Sequence, residues 1–588
     1  MKALSYLNKY FWKYRLRLFS GILFIGLSTW FSLVPANLVG KGLDFAAWAI
    51  NHPQIPAETV NWLLLRFGLE VIGYTLAYGV FLFLNRQTII VMSRLIEYDL
   101  KNEIFNHYQN LDQRFYKQNN TGDLMNRISE DVSRIRMYIG PAVMYTTSTA
   151  ITLVMTIMFM FSSDVRLSLY VLAPLPVLTV SIYYVSNRIN RKSLKVQQQL
   201  SQLSTLSQET FSGVRVIKAF AREQNSEQQF ATAADEYMTR NLSLARTESM
   251  FQPFMLLLIG LSILLTVLIG GREVIDGKLS VGTIATFILF VIRLTWPIAS
   301  LGWVTSLVQR AAASQERINE FLTTKPAIQS PTTAPFALKG NIEFRKVKFV
   351  YPDSGVCALN DVSFTIKAGQ SAAFLGRTGS GKSTLAQLMV RLYDVSEGEI
   401  LVDGENIKSV NLSDLRENTG YVPQEVFLFS KTIAGNIAFS AHDLRETASR
   451  RAEIEQAARD AAIHTNIAEF PNGYETLVGE RGVTLSGGQQ QRISIARAIL
   501  KQPRLLIFDD CLSAVDTETE DEILGNLRRI MQGKTTIIIS HRVSAVRHAD
   551  QIFILDEGKI IEQGTHQQLL DAGGYYAGLY HKQVQELQ

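Results

Sequence analysis

Cysteine is nearly absent: Cys357 and Cys511 are the only two in 588 residues, and neither has a metal-ligand neighbourhood. A disulfide-stapled scaffold and a cysteine metal site are therefore excluded, and a structural or incidental role is left for both thiols. Charge is also scarce, with Asp, Glu, Lys and Arg at 19% against 47% hydrophobic residues, and mean hydropathy is slightly positive. There is no internal repeat and no low-complexity tract. The formal net charge of +5 is ordinary for a membrane protein with basic cytosolic flanks and gives no reason to invoke nucleic acid.

The apolar residues are segregated. Uncharged stretches run from Leu18 to Gly40, Met137 to Ser163, Leu167 to Asn187 and Ser249 to Gly271. Each is long enough to cross a ~30 Å hydrocarbon core as a helix, which takes about 20 residues. Two further spans are interrupted by charge: Trp62–Asn85 carries Arg66 and Glu70, and Ser280–Leu301 carries Arg293. Six spans are expected, near 18–40, 62–88, 137–163, 166–187, 249–271 and 280–302. Lys2, Lys9, Lys13, Arg15 and Arg17 precede the first, and Arg94, Lys101, Arg114, Lys117, Arg127, Arg134 and Arg136 lie between the second and third. This bias places both termini in the cytosol. The basic start followed by an apolar run is a retained span rather than a signal peptide, because no convincing cleavage site follows. Residues 3–14, with Tyr6, Tyr10, Phe11 and Trp12, are expected to form an interfacial amphipathic helix.

The texture changes along the chain. A helix-like polar stretch, Arg310–Leu322, ends a membrane domain at 1–322. Residues 323–339, rich in Thr, Pro and Ser, form a linker. From 340 to 588 strands and helices alternate with Gly-rich turns, as in an α/β domain. Connections on the outer side are short apart from the one after span one. The inner connections, Ile90–Arg136 and Arg188–Glu248, are long, charged and helical in pattern.

Gly376-Arg377-Thr378-Gly379-Ser380-Gly381-Lys382-Ser383 fits the P-loop pattern in full, after strand-like Ser371–Leu375 and before helix-like Thr384–Tyr393. The glycines let the backbone wrap phosphates so that N–H groups point inward at a helix N-terminus. Lys382 is expected to reach the β- and γ-phosphates of ATP and Ser383 to ligate Mg²⁺, with Thr384 completing the nucleotide-binding set. Downstream, Leu505–Phe508 reads as a buried strand that delivers Asp509-Asp510 at its end. In such a setting the first carboxylate holds Mg²⁺ and the second orients the water that attacks the γ-phosphate.

Leu485-Ser486-Gly487-Gly488-Gln489-Gln490-Gln491-Arg492 resembles the signature motif of the ATP-binding-cassette (ABC) proteins, and the rest of the chain resembles their exporters. The resemblance implies an all-α six-helix transmembrane domain with long cytosolic extensions, fused to an α/β P-loop nucleotide-binding domain. It also implies that two such domains sandwich two ATP molecules head to tail, so that Ser486, Gly487, Gly488 and Gln489 meet the γ-phosphate held by the other subunit. By the same resemblance, Tyr351 stacks on adenine, Gln424 contacts Mg²⁺, His541 binds the γ-phosphate, Ser513–Asp516 is the D-loop and Glu480-Arg481-Gly482 crosslinks to coupling helices. The strings Phe115–Met125 and Glu209–Phe220 resemble the intracellular loops that carry those helices.

Asp510 departs from the family's pattern, which has Glu there. Asp is shorter by one methylene, which withdraws the carboxylate by roughly 1.5 Å, and a misplacement of about 1 Å at a reacting centre costs on the order of 100-fold in rate. The arrangement resembles bacterial heterodimeric exporters with one degenerate ATP site, whose partner chain carries Glu and a degraded signature. A homodimer using Asp as a poorer base at both sites stands beside that reading. Export of hydrophobic or amphipathic compounds of the multidrug type is implied. A dedicated lipid, glycolipid or peptide exporter and a non-hydrolysing regulatory half are the alternatives. Arg293, an intramembrane charge, is either a pathway residue or snorkels to the inner leaflet. Arg66 and Glu70, spaced i, i+4, are expected to pair.

Overall fold

A computed structural model describes residues 2–441, 450–479, 485–511 and 517–586. The Glu480-Arg481-Gly482 and Ser513–Asp516 segments lie outside the described residues. The chain forms two units, one from Met1–Tyr108 with Gly122–Thr324 and one from Gln109–Thr121 with Lys325–Gln588.

The first unit is all helix. Five runs among the described residues are long and apolar enough to cross a membrane: Arg15–Ile50, Ala57–Asn110, Thr121–Ser163, Glu223–Ile275 and Val281–Thr323. A shorter apolar run, Val165–Val177, falls where the fourth span is expected, and its helix restarts at Pro174, whose missing N–H costs nothing at a first turn. The polar stretch Arg310–Leu322 continues the last of these helices without a break. Side-chain caps define two of the tight ends. Asp164 accepts from the Leu167 N–H at 2.6 Å, and Ser280 accepts from that of Thr283 at 3.2 Å, each satisfying a donor that the helix start leaves open. Three short π-helical turns interrupt the runs, at Arg86–Ile90, Arg127–Asp131 and Tyr138–Ala142.

The core of this unit gathers Leu33, Met160, Leu167, Phe287, Phe290 and Leu294. Helices Arg15–Ile50 and Val281–Thr323 touch through glycine: a Cβ on Gly282 would lie 2.0 Å from the Gly40 carbonyl. Asp44 fixes the same crossing by accepting from the Gly282 N–H at 2.6 Å and the Ser280 hydroxyl at 2.7 Å. The expected N-terminal helix is Lys2–Leu7 followed by Asn8–Lys13. It is tied to Glu103 by Lys9 at 2.6 Å and by the hydroxyls of Tyr6 and Tyr10. Arg66 Nε donates to Glu70 at 3.0 Å, as the spacing predicts.

The described residues of the second unit form ten strands: β1 Ile342–Val350, β2 Cys357–Ile366, β3 Ser371–Gly376, β4 Glu397–Val402, β5 Glu405–Asn406, β6 Thr419–Val422, β7 Leu505–Asp509, β8 Thr535–Ile539, β9 Gln551–Asp556 and β10 Lys559–Gly564. A four-stranded antiparallel sheet has the order β2-β1-β4-β5, and a six-stranded sheet the order β10-β9-β3-β8-β7-β6. In the second sheet β9, β3, β8, β7 and β6 run parallel. Strands β7 and β8 are buried along their whole length, as expected where helices cover both faces of a parallel sheet. That burial explains the uninterrupted apolar runs in the sequence, and it delivers the strands' C-terminal ends to one edge, where ligands of open α/β sheets bind.

Candidate nucleotide site

β3 ends at Gly376, where φ is +154° and a Cβ would sit 2.0 Å from the Leu555 carbonyl, so only glycine fits. The loop then turns through Gly379 and Gly381, with φ of +84° and +99°, into the helix Lys382–Met389. Lys382 Nζ folds back over the loop and donates to the carbonyls of Gly376 at 2.9 Å and Arg377 at 2.7 Å. The ammonium remains near the Ser380 hydroxyl, at 3.4 Å. Burial lowers the Lys382 pKa, and the nearby Asp510 and Asp509 carboxylates oppose that shift. A desolvated cation at the mouth of a backbone N–H cradle is an anion site.

β7 brings the paired acids to the same place. Asp509 is 1% exposed and accepts from the Ser383 hydroxyl at 2.9 Å. Burial pushes its carboxyl up to about 6, with Asp510 adding to the rise and the Ser383 hydrogen bond resisting it. Asp510 adopts a left-handed φ of +47°, a region in which Asp is several-fold enriched among non-glycine residues. Its N–H donates to the Ile539 carbonyl at 2.8 Å, which pins it to the end of β8. The Asp510 Oδ1 lies 2.9 Å from Nδ1 of His541.

These groups face one cavity of about 330 Å³, whose lining includes Thr378, Lys382, Ser383, Gln424, Asp509 and His541. Tyr351, Gly379, Gly381, Thr384 and Asp510 border it too. Gly376, Arg377 and Ser380 belong to the loop without lining the cavity. The oxygen donors, a hydroxyl, a carboxylate and the Gln424 amide, suit a hard cation that completes its shell with phosphate and water. Among the described residues no group of three His, Cys, Asp or Glu side chains is placed to hold a metal.

Ser486, Gly487, Gly488 and Gln489 do not line this cavity. They start the helix Gly487–Leu500 as a capping box: the Ser486 hydroxyl accepts from the Gln489 N–H at 3.3 Å and the Gln489 side chain from the Ser486 N–H at 3.0 Å. This pre-organised helix N-terminus lies outside the lining of the cavity at the chain's own P-loop, and its N–H groups favour an anion.

One contact has a partner that the sequence does not specify. Gln113–Gln118 is a short helix of the second unit, capped by Asp112, and its Lys117 ammonium lies 4.6 Å from the ring centre of Tyr351 and 5.4 Å from that of Tyr393. The Tyr351 hydroxyl is in turn 2.9 Å from that of Thr384. Sequence spacing does not place Lys117 beside Tyr351; both residues belong to the second unit.

Two family models match the chain, the ABC transporter transmembrane region over residues 16–298 and ABC transporter over residues 359–513. The "Probable multidrug resistance ABC transporter ATP-binding/permease protein YheI" of Bacillus subtilis is 34% identical over 99% of this chain and 97% of its own length. The "Multidrug resistance-like ATP-binding protein MdlA" of Escherichia coli is 33% identical over 100% and 97%. An "ATP-dependent lipid A-core flippase" of Pseudomonas fluorescens is 35% identical over 90% and 88%. The structure of a bacterial Atm1-family ABC exporter with ATP bound superposes with a TM-score of 0.80 at 28% identity, covering 97% of this chain and 99% of that one.

Proposed function

The chain belongs to the ABC transporters and has the exporter fold, a helical transmembrane domain fused to an ATP-binding domain; on that premise we propose that it is one half of a heterodimeric pump for hydrophobic or amphipathic compounds, with a weakened ATP site of its own. The observation that carries this reading is Asp510. It holds the position of the water-orienting acid, follows Asp509 at the end of β7, and is one methylene shorter than the Glu of the family pattern.

In this reading Lys382 and the P-loop N–H groups hold the phosphates of ATP and Tyr351 takes the adenine. Ser383, Asp509 and Gln424 are the groups that would hold Mg²⁺, which when bound neutralises charge on the β- and γ-phosphates. Asp510 orients the attacking water, and His541, within hydrogen-bond reach, fixes that carboxylate and faces the γ-phosphate. The intact capping box at Ser486 serves the partner's ATP, where a Glu completes the competent site. Both termini face the cytosol, where ATP is available. The short helix Val214–Ala219 supports a partner chain: Phe211, Val216 and Phe220 around it are 76%, 61% and 72% exposed, a cluster that suits docking on a second nucleotide-binding domain. The names of the relatives support a multidrug-type or lipid substrate.

Affinity purification from the native membrane, followed by mass spectrometry, tests the pairing. A stoichiometric second half-transporter with Glu after its paired Asp and a degraded signature is the expected result. Recovery of this chain alone as a dimer contradicts it.

A further inference from the structure

We propose that the cavity inside the transmembrane unit is a binding site for an amphiphile with a compact anionic head, a phosphate or carboxylate on an apolar body; this rests on reading the chain as an exporter. The cavity is about 800 Å³ and is bordered by residues of helices Arg15–Ile50, Ala57–Asn85, Val143–Ser163 and Val281–Thr323, within the usual range for small-molecule sites. Two of its lining residues are arginines, Arg86 and Arg293, and none is Asp or Glu.

Two other arginines of the transmembrane unit have acidic partners. Arg66 pairs with Glu70 at 3.0 Å and Arg166 with Glu273 at 3.5 Å. Arg86 and Arg293 form no ion pair among the described residues. The guanidinium of Arg293 instead lies over the Tyr78 ring, 5.4 Å from its centre, which keeps it directed into the cavity rather than toward lipid. Arg86 opens the π-helical turn Arg86–Ile90, a distortion frequent at functional sites. Two unmatched cations in a membrane-embedded cavity are costly and call for a counter-charge. Guanidinium groups bind carboxylate and phosphate in a planar, two-pronged geometry that a neutral ligand cannot use.

The rest of the wall sets what is attached to that head. Tyr145, Ser148 and Thr152 add hydroxyls, while Leu82, Leu289, Ile292 and Trp296 are apolar. A bare anion would leave the apolar surface uncovered, and a neutral hydrophobic compound would leave both arginines unmatched. An anionic amphiphile satisfies both.

The test uses the full chain, in the oligomeric form in which it purifies, in phosphatidylcholine nanodiscs. Trp296 lines the cavity, so 12-bromododecyl phosphate bound there quenches its fluorescence, and the Trp296→Phe variant isolates that component. The phosphate is expected to bind at least tenfold tighter than 12-bromododecanol, which has the same tail without the charge. Arg86→Gln and Arg293→Gln are each expected to weaken it by about tenfold, the size of one charge-assisted contact, and the Arg→Lys variants, which keep the charge but lose the two-pronged geometry, to fall between the wild type and the Gln variants. Inorganic phosphate is expected not to compete at equal concentration. Equal binding of phosphate and alcohol, Gln variants that bind like the wild type, quenching that survives Trp296→Phe, or competition by free phosphate overturns the inference, and the first of these needs no variant to fold. ATP-driven accumulation of dodecyl phosphate in inverted vesicles separates the two levels: lost charge selectivity with pumping intact refutes this site alone, and charge-selective binding without ATP-driven accumulation refutes the export reading.

Discussion

The Nδ1 of His541 stands 2.9 Å from Oδ1 of Asp510, joining the second residue past β8 to the residue after β7 at the nucleotide cavity. The histidine restrains the short carboxylate, so the pair acts as a unit. His541→Ala is expected to lower ATP turnover at this chain's site about 100-fold, the scale of one lost positioning or proton-transfer group, while ATP affinity changes less than tenfold. Single-turnover hydrolysis and equilibrium binding of the same variant check this. Unchanged turnover would remove His541 from the chemistry.

Lys382 contributes through charge in a buried place. Its ammonium is held by two loop carbonyls that phosphate oxygens are expected to replace. Lys382→Ala removes charge-assisted contacts of about 1.5–3 kcal/mol, so ATP affinity is expected to fall roughly 10- to 100-fold, read by titration with a fluorescent ATP analogue.

The Gly40–Gly282 crossing has no room for a methyl group. Gly282→Ala forces the Cβ against the Gly40 carbonyl and the Asp44 carboxylate, 2.0 and 2.5 Å away. Overpacking of this kind costs about 1–3 kcal/mol and is expected to lower the melting temperature in detergent. Ala at Gly26, where a Cβ meets nothing within 4 Å, is the control expected to melt like the wild type.

The N-terminal helix is held by a pH-dependent clamp. Burial alone would raise the Glu103 carboxyl, but hydrogen bonds from Lys9, Tyr10 and Tyr6 outweigh it and hold the pKa below its ordinary 4.5. A depressed carboxylate pKa means that the folded state binds fewer protons than the unfolded one. Its contribution is therefore present above about pH 4.5 and lost as pH falls through the lower folded value. Hydrogen exchange of Lys2–Lys13, corrected for the intrinsic pH dependence, is expected to be slow at pH 6 and to quicken as the pH is taken below 4.5. Glu103→Gln is expected to be fast throughout, and protection that ignores pH in the wild type would contradict the clamp.

Much of this was legible in the sequence because it is local. A strand, a glycine loop and a helix in succession specify the backbone around Lys382, and an apolar strand specifies where Asp509 emerges. Arg66 and Glu70 pair because four residues make one helical turn. What depends on distant parts of the chain was not legible. The string around Lys117 resembles a coupling-helix loop but does not single out Tyr351 as its partner, and the left-handed φ of Asp510 accompanies a bond to Ile539 on the neighbouring strand. Arg86 and Arg293 stand alone in sequence, and only the packing of four helices brings them to one cavity.

Hydrolysis at this chain's own site, compared between the wild type and Asp510→Glu by single turnover in the assembled transporter, tests the central claim most directly. The account predicts a rise of at least tenfold as the carboxylate regains its reach. An unchanged or lower rate would show that the site is not limited by the length of that side chain, and the asymmetric pump would lose its basis.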